Sequence, residues 1–198
     1  MTISREASKR LLLAWPEMSK RIIEYVTNVD APRSWEEKIG LSVDIKDLSE
    51  AEQQNLALNI LPFMFCGRSK TMLGRCTPDQ ALRSFMDWKA EGTSVEFYTT
   101  SMVSKEQQPQ PFVLLIGGSR WDPLQAFAVV EHRAVACPSA LAAVDLVFKM
   151  TFILDVDYQP YCMAVWQFLE SLVYQLGEPV KTASILRFRT WMSQQSVD

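Results

Sequence analysis

Histidine is almost absent from the sequence, which has only His132 among its 198 residues. Any Ser-His-Asp or Cys-His catalytic set would have to be built around this one side chain. Glu131 and Arg133 flank it, and such a charged context is typical of a solvated hairpin turn. The sequence therefore disfavours histidine-based catalysis, and we expect no catalytic residue in the chain.

Closely spaced cysteines are also lacking, since no two of the four have the C-x₂₋₄-C spacing of a structural zinc site. Cys162 falls inside an apolar helical pattern, which favours reduced core thiols over a disulfide framework. We therefore expect no metal and no cofactor. The four residues are Cys66, Cys76, Cys137 and Cys162.

Long apolar runs are missing as well, because no stretch reaches the roughly eighteen residues that a membrane span needs. The N-terminal sequence, residues 1–6, contains an acidic residue and is not followed by the apolar block of a signal peptide. These features predict an intracellular protein, cytoplasmic or nuclear, that makes no membrane contact.

Glycine is scarce, with seven residues, and the Gly-Gly-Ser-Arg sequence at residues 117–120 resembles a phosphate-binding turn. Glycines at such a turn allow backbone N–H groups to approach an anion. Walker and Rossmann fingerprints, however, require a helix directly after the glycines, and here Trp121 and a second predicted strand follow. We interpret the segment as a hairpin turn.

The chain has no excess of positive charge, since its net charge is −3 and its pI is about 5.3. A protein that binds duplexes presents a basic face to the phosphates. A nucleic-acid-associated module derived from a mobile element is therefore an alternative that we do not favour. Its contacts would come from the basic residues Lys9, Arg10, Lys20, Arg21, Arg68, Lys70 and Arg75.

Apolar residues are abundant, at 48% of the chain, which is enough for one shared core. Helical spacing predicts a helical N-terminal part, residues 1–103, and a loop at residues 104–110. Residues 111–198 combine strand patterns, a helical hairpin and a C-terminal helix. We predict an α+β fold, mainly helical, with a small three-stranded antiparallel β-meander packed against helices. Its strands are expected at residues 111–118, 126–130 and 134–136.

Several helix limits follow from local signals. Thr77-Pro78 begins a helix that we expect to end at Gly92. Proline lacks the N–H group that a helix interior uses, so Pro16 and Pro62 are expected to break or bend their helices. Residues 162–176 keep helical apolar spacing without a gap.

Three aspartates are the candidate acidic groups. Asp145 lies in an apolar helix with Lys149 one turn later, and an unpaired buried carboxylate is costly, so we expect the two to pair. Asp155 and Asp157 could hold a divalent cation, but their place between two helices favours turn formation and N-capping. A metal-dependent enzyme that uses Asp145, Asp155 and Asp157 is a further alternative.

Seven segments, most of them apolar, carry a resemblance: LPFMF at 61–65, GT at 92–93, PFVLLIG at 111–117, AFAVV at 126–130, LAAVDLVFK at 141–149, DVDY at 155–158 and VWQFL at 165–169. Through them, residues 50–176 resemble the C-terminal region of sterile-alpha-motif-associated, transposon-associated proteins. The resemblance implies an intracellular module at the end of a multidomain or element-derived protein. It supplies no catalytic residue and no ligand.

Our preferred prediction is a non-enzymatic protein-interaction or oligomerisation module that binds a second copy of itself or another protein. Tryptophan in loop and terminal contexts supports it, because tryptophan often anchors interfaces. The strand at 111–117 or the one at 134–136 should form a sheet edge, which residues 180–194 are expected to cover. The predicted interface residues are Trp121, Ile185, Phe188, Trp191 and Met192.

Overall fold

The computed structural model describes residues 9–29, 35–65, 70–71, 74–104, 111–177 and 180–195. The fold is α+β and mainly helical, as predicted. Its α-helices are α1 (Arg10–Asn28), α2 (Trp35–Ile39), α3 (Glu50–Phe65), α4 (Pro78–Phe85), α5 (Val95–Ser104), α6 (Ala140–Ile153), α7 (Met163–Phe168) and α8 (Ala183–Gln195). Its strands are β1 (Lys70–Thr71), β2 (Gly74–Arg75), β3 (Met86–Lys89), β4 (Phe112–Ile116), β5 (Gln125–Val130) and β6 (Arg133–Cys137). Of the predicted loop, residues 105–110 lie outside the described residues.

The main sheet contains four strands in the order β3-β4-β5-β6, while β1 and β2 form a separate short pair. The predicted meander is confirmed, because β4 pairs antiparallel with β5, and β5 with β6. The structure adds β3, which runs parallel to β4 with Met86 opposite Val113. A parallel pair needs a crossover connection, and α5 provides it. Of the two strands that we considered as edges, β4 is therefore an inner strand and β6 is an edge.

β3 occupies residues that we predicted to be helical. The helix before it, α4, begins with a capping box: the N–H of Gln80 donates to Thr77 Oγ1 at 3.2 Å, and the N–H of Thr77 donates to Gln80 Oε1 at 2.9 Å. The helix ends at Phe85, well before Gly92, because Met86 takes an extended conformation with φ −149°. Pairing with β4 then uses the backbone groups that a longer helix would have used.

Helices cover both faces of the sheet, as its apolar strands require. α6 packs against β4 and β5 on one face. The other face carries a separate buried cluster, against which Val95 and Tyr98 of α5 pack. That cluster consists of Phe112, Leu114, Ile116 and Val129.

Both prolines that we expected to break helices lie inside continuous ones, since α1 runs through Pro16 and α3 through Pro62. A proline in a helix interior costs about 3 kcal/mol, because one hydrogen bond is lost and the ring clashes with the preceding turn. Burial of the neighbouring side chains, such as Trp15 and Phe63, offsets this cost. The predicted breaks are therefore wrong.

The helix predicted at residues 162–176 is irregular. It is α-helical in α7 and π-helical over Leu169–Val173. Gln175 and Gly177 then turn the chain with positive φ angles of 55° and 73°. The positive φ of Gly177 favours glycine, whereas the nearest atom to an added Cβ, Glu170 Oε1 at 2.7 Å, is the end of a flexible side chain that can move aside.

The main core contains side chains from both sides of the 104–110 segment, including α1, α3, α6, α7 and α8. α8 packs among helices: the Phe188 ring contacts the rings of Tyr25 in α1, Phe65 in α3 and Phe168 in α7. The prediction that α8 covers the sheet edge is therefore wrong. None of the helices in the described ranges is long and apolar enough to cross a membrane.

Candidate functional site

Three of the five predicted interface residues belong to the core of the chain itself. Ile185, Phe188 and Trp191 are 1%, 0% and 9% exposed. The Trp191 ring centroid lies 5.2 Å from that of Tyr25 in α1 and 5.9 Å from that of Phe188 in the same helix. The spacing revealed the apolar stripe on α8 but not that α1 covers it. These three side chains are therefore largely covered by the chain itself.

The other two predicted interface residues differ in exposure. Trp121 is buried, and its carbonyl oxygen accepts a hydrogen bond of 3.0 Å from Asn55 Nδ2. Met192 is half-buried and lines a cavity of about 440 Å³ with Leu186 and Arg189 of the same helix. Of the five predicted residues, Met192 alone therefore keeps substantial access to solvent.

The basic residues of α1 interact with neighbours within the chain. Lys20 Nζ lies 3.8 Å from Glu50 Oε1, and Arg21 Nε lies 3.1 Å from Glu17 Oε1. Arg10 Nη1 donates a hydrogen bond of 2.7 Å to the carbonyl oxygen of Tyr174, the residue that follows the π-helix. α1 therefore presents mixed charge in place of a basic stripe. Of the remaining predicted contacts, Lys9 is exposed, and the side chains of Arg68, Lys70 and Arg75 lie outside the description.

Asp145 forms the centre of a buried polar group. The expected pair is present, because Lys149 Nζ donates to Asp145 Oδ2. The structure adds Tyr174, whose hydroxyl donates to Asp145 Oδ1 at 2.7 Å and whose ring stacks on Phe148 at 3.8 Å. Burial and the Asp145 charge raise the pKa of Tyr174, so the phenol stays protonated and continues to donate. Both oxygens of Asp145 thus have partners.

A second polar pair lies near the π-helix. Tyr158 donates a hydrogen bond of 3.1 Å from its hydroxyl to Glu170 Oε2. Burial raises the pKa of Glu170, and the hydrogen bond from Tyr158 opposes this shift. The Tyr158 ring also stacks on Trp166, with centroids 6.0 Å apart. Glu170 is therefore a carboxyl group whose charge the fold disfavours.

The aspartates of the metal-dependent alternative do not form a ligand set. Asp155 and Asp157 are exposed, and Asp155 takes a positive φ of 50° in the turn after α6. Asp145 is buried and paired. In the part of the chain that the structure describes, no group of three or more histidine, cysteine, aspartate or glutamate residues could hold a metal ion.

β6 is an open edge of the main sheet. It is the last strand in the order, and within the described ranges no strand pairs with its outer side. Its pairing with β5 is regular over five consecutive residues, without a bulge. Arg133, Val135 and Ala136 are exposed, and Arg133 is its sole charged residue. In an antiparallel pair, hydrogen-bonded and non-hydrogen-bonded residues alternate along the strand. Every other residue of β6 therefore directs its N–H and C=O groups away from β5, toward the open edge.

Polar side chains gather around Asp87, the second residue of the edge strand β3. Asp87 is buried, and its Oδ2 accepts hydrogen bonds from the Tyr98 hydroxyl and from Lys89 Nζ, the latter at 3.0 Å. Its Oδ1 accepts from the backbone N–H of Trp88 at 2.9 Å. Burial, together with Asp87, raises the pKa of Tyr98. Both carboxylate oxygens of Asp87 therefore have hydrogen-bond partners within the chain.

Arg120, in the loop between β4 and β5, contacts Trp88, whose side chain packs against the main core. Its guanidinium carbon lies 5.6 Å from the centroid of the Trp88 ring. Its carbonyl oxygen accepts a hydrogen bond of 3.2 Å from Asn59 Nδ2 in α3. Three buried atoms have no hydrogen-bond partner among the residues described: Arg120 Nη1, Trp88 Nε1 and Asn59 Oδ1. Our sequence reasoning missed this cluster because it assigned Trp88 to a helix.

Comparisons of the chain with protein-family models, with curated proteins and with solved structures find no match. The resemblance of residues 50–176 to sterile-alpha-motif-associated, transposon-associated proteins therefore stays a prediction. A functional assignment has to rest on the surfaces of the chain itself.

Proposed function

We propose that the chain is an oligomerisation module that pairs with a second copy of itself through β6. The open edge carries this proposal, because β6 is exposed, unbulged and almost uncharged. Edges of this kind offer unpaired backbone groups to another strand, and many proteins block them with charges, prolines or bulges. The opposite edge strand, β3, is buried or half-buried along its whole length.

The residue order of β6 suits pairing with an identical strand. An antiparallel two-fold axis at Val135 places Val135 of both copies opposite each other, and Ala134 opposite Ala136. Arg133 then faces Cys137, so the two arginines lie about 13 Å apart along the strands and do not repel each other strongly. The alanines leave room for close approach of the strands.

Light scattering over a series of protein concentrations tests the proposal. We expect a dimer fraction that rises with concentration, and a monomer for Val135→Lys, because two lysines would face each other at the axis. Mixing Val135→Lys with Val135→Glu should restore a dimer. Val43→Lys is the matched control, since Val43 is 46% exposed, against 44% for Val135, but lies outside the sheet.

A wild-type chain that is strictly monomeric at high micromolar concentration would overturn the proposal. A Val135→Lys variant that is folded and still dimeric would show that the interface lies elsewhere.

A cross-link tests the register. Paired Cα atoms in antiparallel strands lie about 4.5–5.5 Å apart, within the roughly 4.4–6.8 Å that a disulfide needs. Val135→Cys, combined with Cys137→Ala, should therefore form a disulfide-linked dimer on mild oxidation, seen on a non-reducing gel. Val43→Cys in the same background should not. Equal cross-linking of the two variants would indicate random collision and contradict the register.

A further inference from the structure

We infer that the cavity between the π-helix and α8 binds a small amphipathic carboxylate, such as a medium-chain fatty acid, with its apolar tail inside and its head at Arg189. The cavity has a volume of about 440 Å³. Small-molecule sites span roughly 300–1,000 Å³ and are mostly apolar, with a few polar groups that orient the ligand. Six of the ten lining residues here are apolar: Leu172, Leu176, Val180, Ile185, Leu186 and Met192.

Two uncommon backbone features form part of the cavity wall. Ser171 and Leu172 belong to the π-helix, and π-helical turns occur frequently at functional sites. Gln175 has a positive φ of 55°, which is unfavourable for a residue with a side chain. Conformations of this kind cluster at ligand sites, where the surrounding fold maintains them. Their coincidence with the cavity favours a binding role over incomplete packing.

The inside of the cavity suits a hydrocarbon tail. Ile185 lines it although this side chain is only 1% exposed, so the apolar lining reaches the main core. Ser171 Oγ already donates a hydrogen bond of 2.7 Å to the carbonyl oxygen of Gln167, and Gln175 is exposed to solvent. These polar side chains therefore do not require a polar ligand group. Burial of an alkyl chain against the apolar lining is favourable by the hydrophobic effect.

Arg189 supplies the charge that binds the head group. It is the sole charged residue of the lining, it is exposed, and it forms no ion pair among the residues that the structure describes. α8 contains no acidic residue, and Arg187 adds a second positive charge to this helix. Glu170 is outside the lining, and its Oε2 accepts a hydrogen bond from Tyr158. A guanidinium group binds a carboxylate through two parallel hydrogen bonds, so Arg189 favours a carboxylate head.

Titration with sodium octanoate at constant ionic strength tests the inference. The readout is the methyl resonance of Met192 in ¹H–¹³C spectra of methionine-labelled protein, assigned by its loss in Met192→Leu. We expect a saturable shift in the millimolar range or below. Hexanoate and butanoate should bind more weakly, by up to about fourfold for each CH₂ group removed, because less apolar surface is buried.

Arg189→Gln should weaken octanoate binding about fivefold or more, because the charge-assisted hydrogen bonds to the head are lost. Arg187→Gln is the matched control, since it removes the same charge from α8 but lies outside the lining of this cavity. Binding to this control should change less than twofold. Equal losses in the two variants would indicate a general charge effect and overturn the inference.

Octanol separates the contribution of the head from that of the tail. It should bind the wild type more weakly than octanoate does, and its affinity should be the same in Arg189→Gln. The absence of a saturable Met192 shift with octanoate would overturn the inference, as would affinities that do not depend on chain length or octanol binding as tight as that of octanoate.

Leu186→Ala tests the apolar wall and keeps the inference open to test if Arg189→Gln does not fold. Leu186 is 42% exposed, so its truncation should leave the fold intact and weaken octanoate binding about threefold. Leu124→Ala is its control, because Leu124 is 64% exposed and lies outside the cavity. Unchanged octanoate binding in a folded Leu186→Ala variant would contradict the proposed tail site.

Discussion

The Tyr174 hydroxyl donates a hydrogen bond of 2.7 Å to Asp145 Oδ1 across 29 residues of sequence. Lys149 donates to the other oxygen of the same carboxylate. The bond connects α6 to Tyr174, the residue that follows the π-helix. A π-helical turn is a rare interruption of regular α-helix geometry. Here the irregular turn brings a phenol to a buried charge.

Tyr174→Phe should lower the free energy of unfolding by about 1–3 kcal/mol, because it removes a hydrogen bond to a buried charged group. The phenylalanine ring keeps the stacking contact with Phe148, so the loss reports the hydroxyl. Urea denaturation followed by circular dichroism measures it.

A double-mutant cycle with Asp145→Ala isolates the interaction, because alanine leaves no acceptor for the Tyr174 hydroxyl. We expect a coupling free energy above about 0.5 kcal/mol between the two substitutions, as for residues in direct contact. Strict additivity would contradict the bond.

Glu170 should make stability fall as the pH rises. Burial raises the pKa of Glu170 above its value in the unfolded chain, so over the interval between the two values the folded state binds more protons. Its contribution is therefore full below the unfolded pKa and is lost as the pH rises through the folded pKa. Glu170→Gln keeps an acceptor for Tyr158 and should remove this decline from a series of urea denaturations above about pH 4.3. An unchanged pH profile would show that another group causes the decline.

Glu131→Gly should stabilise the hairpin between β5 and β6. Glu131 has a φ of 53°, a left-handed conformation that costs a residue with a side chain about 1–2 kcal/mol and glycine almost nothing. Part of this gain is lost because glycine makes the unfolded chain more flexible, so we expect a net increase of about 0.5–1 kcal/mol in unfolding free energy.

His132→Gly is the matched control in the same turn. His132 is not among the residues with positive φ, so glycine there brings only the entropic cost and should destabilise the protein. Thermal unfolding of both variants distinguishes them, and stabilisation by His132→Gly would show that the φ of Glu131 is not the cause.

Local signals were enough to predict the fold class and the strands β4, β5 and β6. Their apolar runs are separated by turn residues, so each strand can be recognised without its partner. β3 could not be found in this way, because Met86–Lys89 continues the apolar spacing of α4. Its strand conformation depends on β4, which lies beyond α5 in the sequence.

The same reasoning found only part of the candidate surface. The edge at residues 134–136 was one of two predicted edges, and the choice between them required the position of β3. Helical spacing identified the apolar stripe on α8. It could not show which residues cover that stripe, because the same spacing suits contact with Tyr25 of the same chain or with a partner protein. The Arg120–Trp88 cluster needs tertiary contacts that no local pattern contains.

The thiols should differ in reactivity toward iodoacetamide in the folded protein. Cys162 is 0% and Cys76 is 8% exposed, whereas Cys137 is half-buried in the open strand β6. Burial raises the pKa of Cys76 and Cys137, which slows both thiols relative to an exposed cysteine. Among these three described cysteines we expect Cys137 to react first and Cys162 last, as measured by peptide mapping with mass spectrometry. Rapid modification of Cys162 in the native state would contradict its place in the core.

Cys137 should also report pairing through β6. In the proposed dimer Cys137 lies opposite Arg133 of the second copy, so its alkylation should slow as the protein concentration rises through the range of dimerisation. Cys76 lies outside β6 and supplies an internal control whose rate should stay constant. In Val135→Lys the rate at Cys137 should not depend on concentration. A Cys137 rate that stays constant while light scattering shows the wild type dimerising would place the interface away from β6.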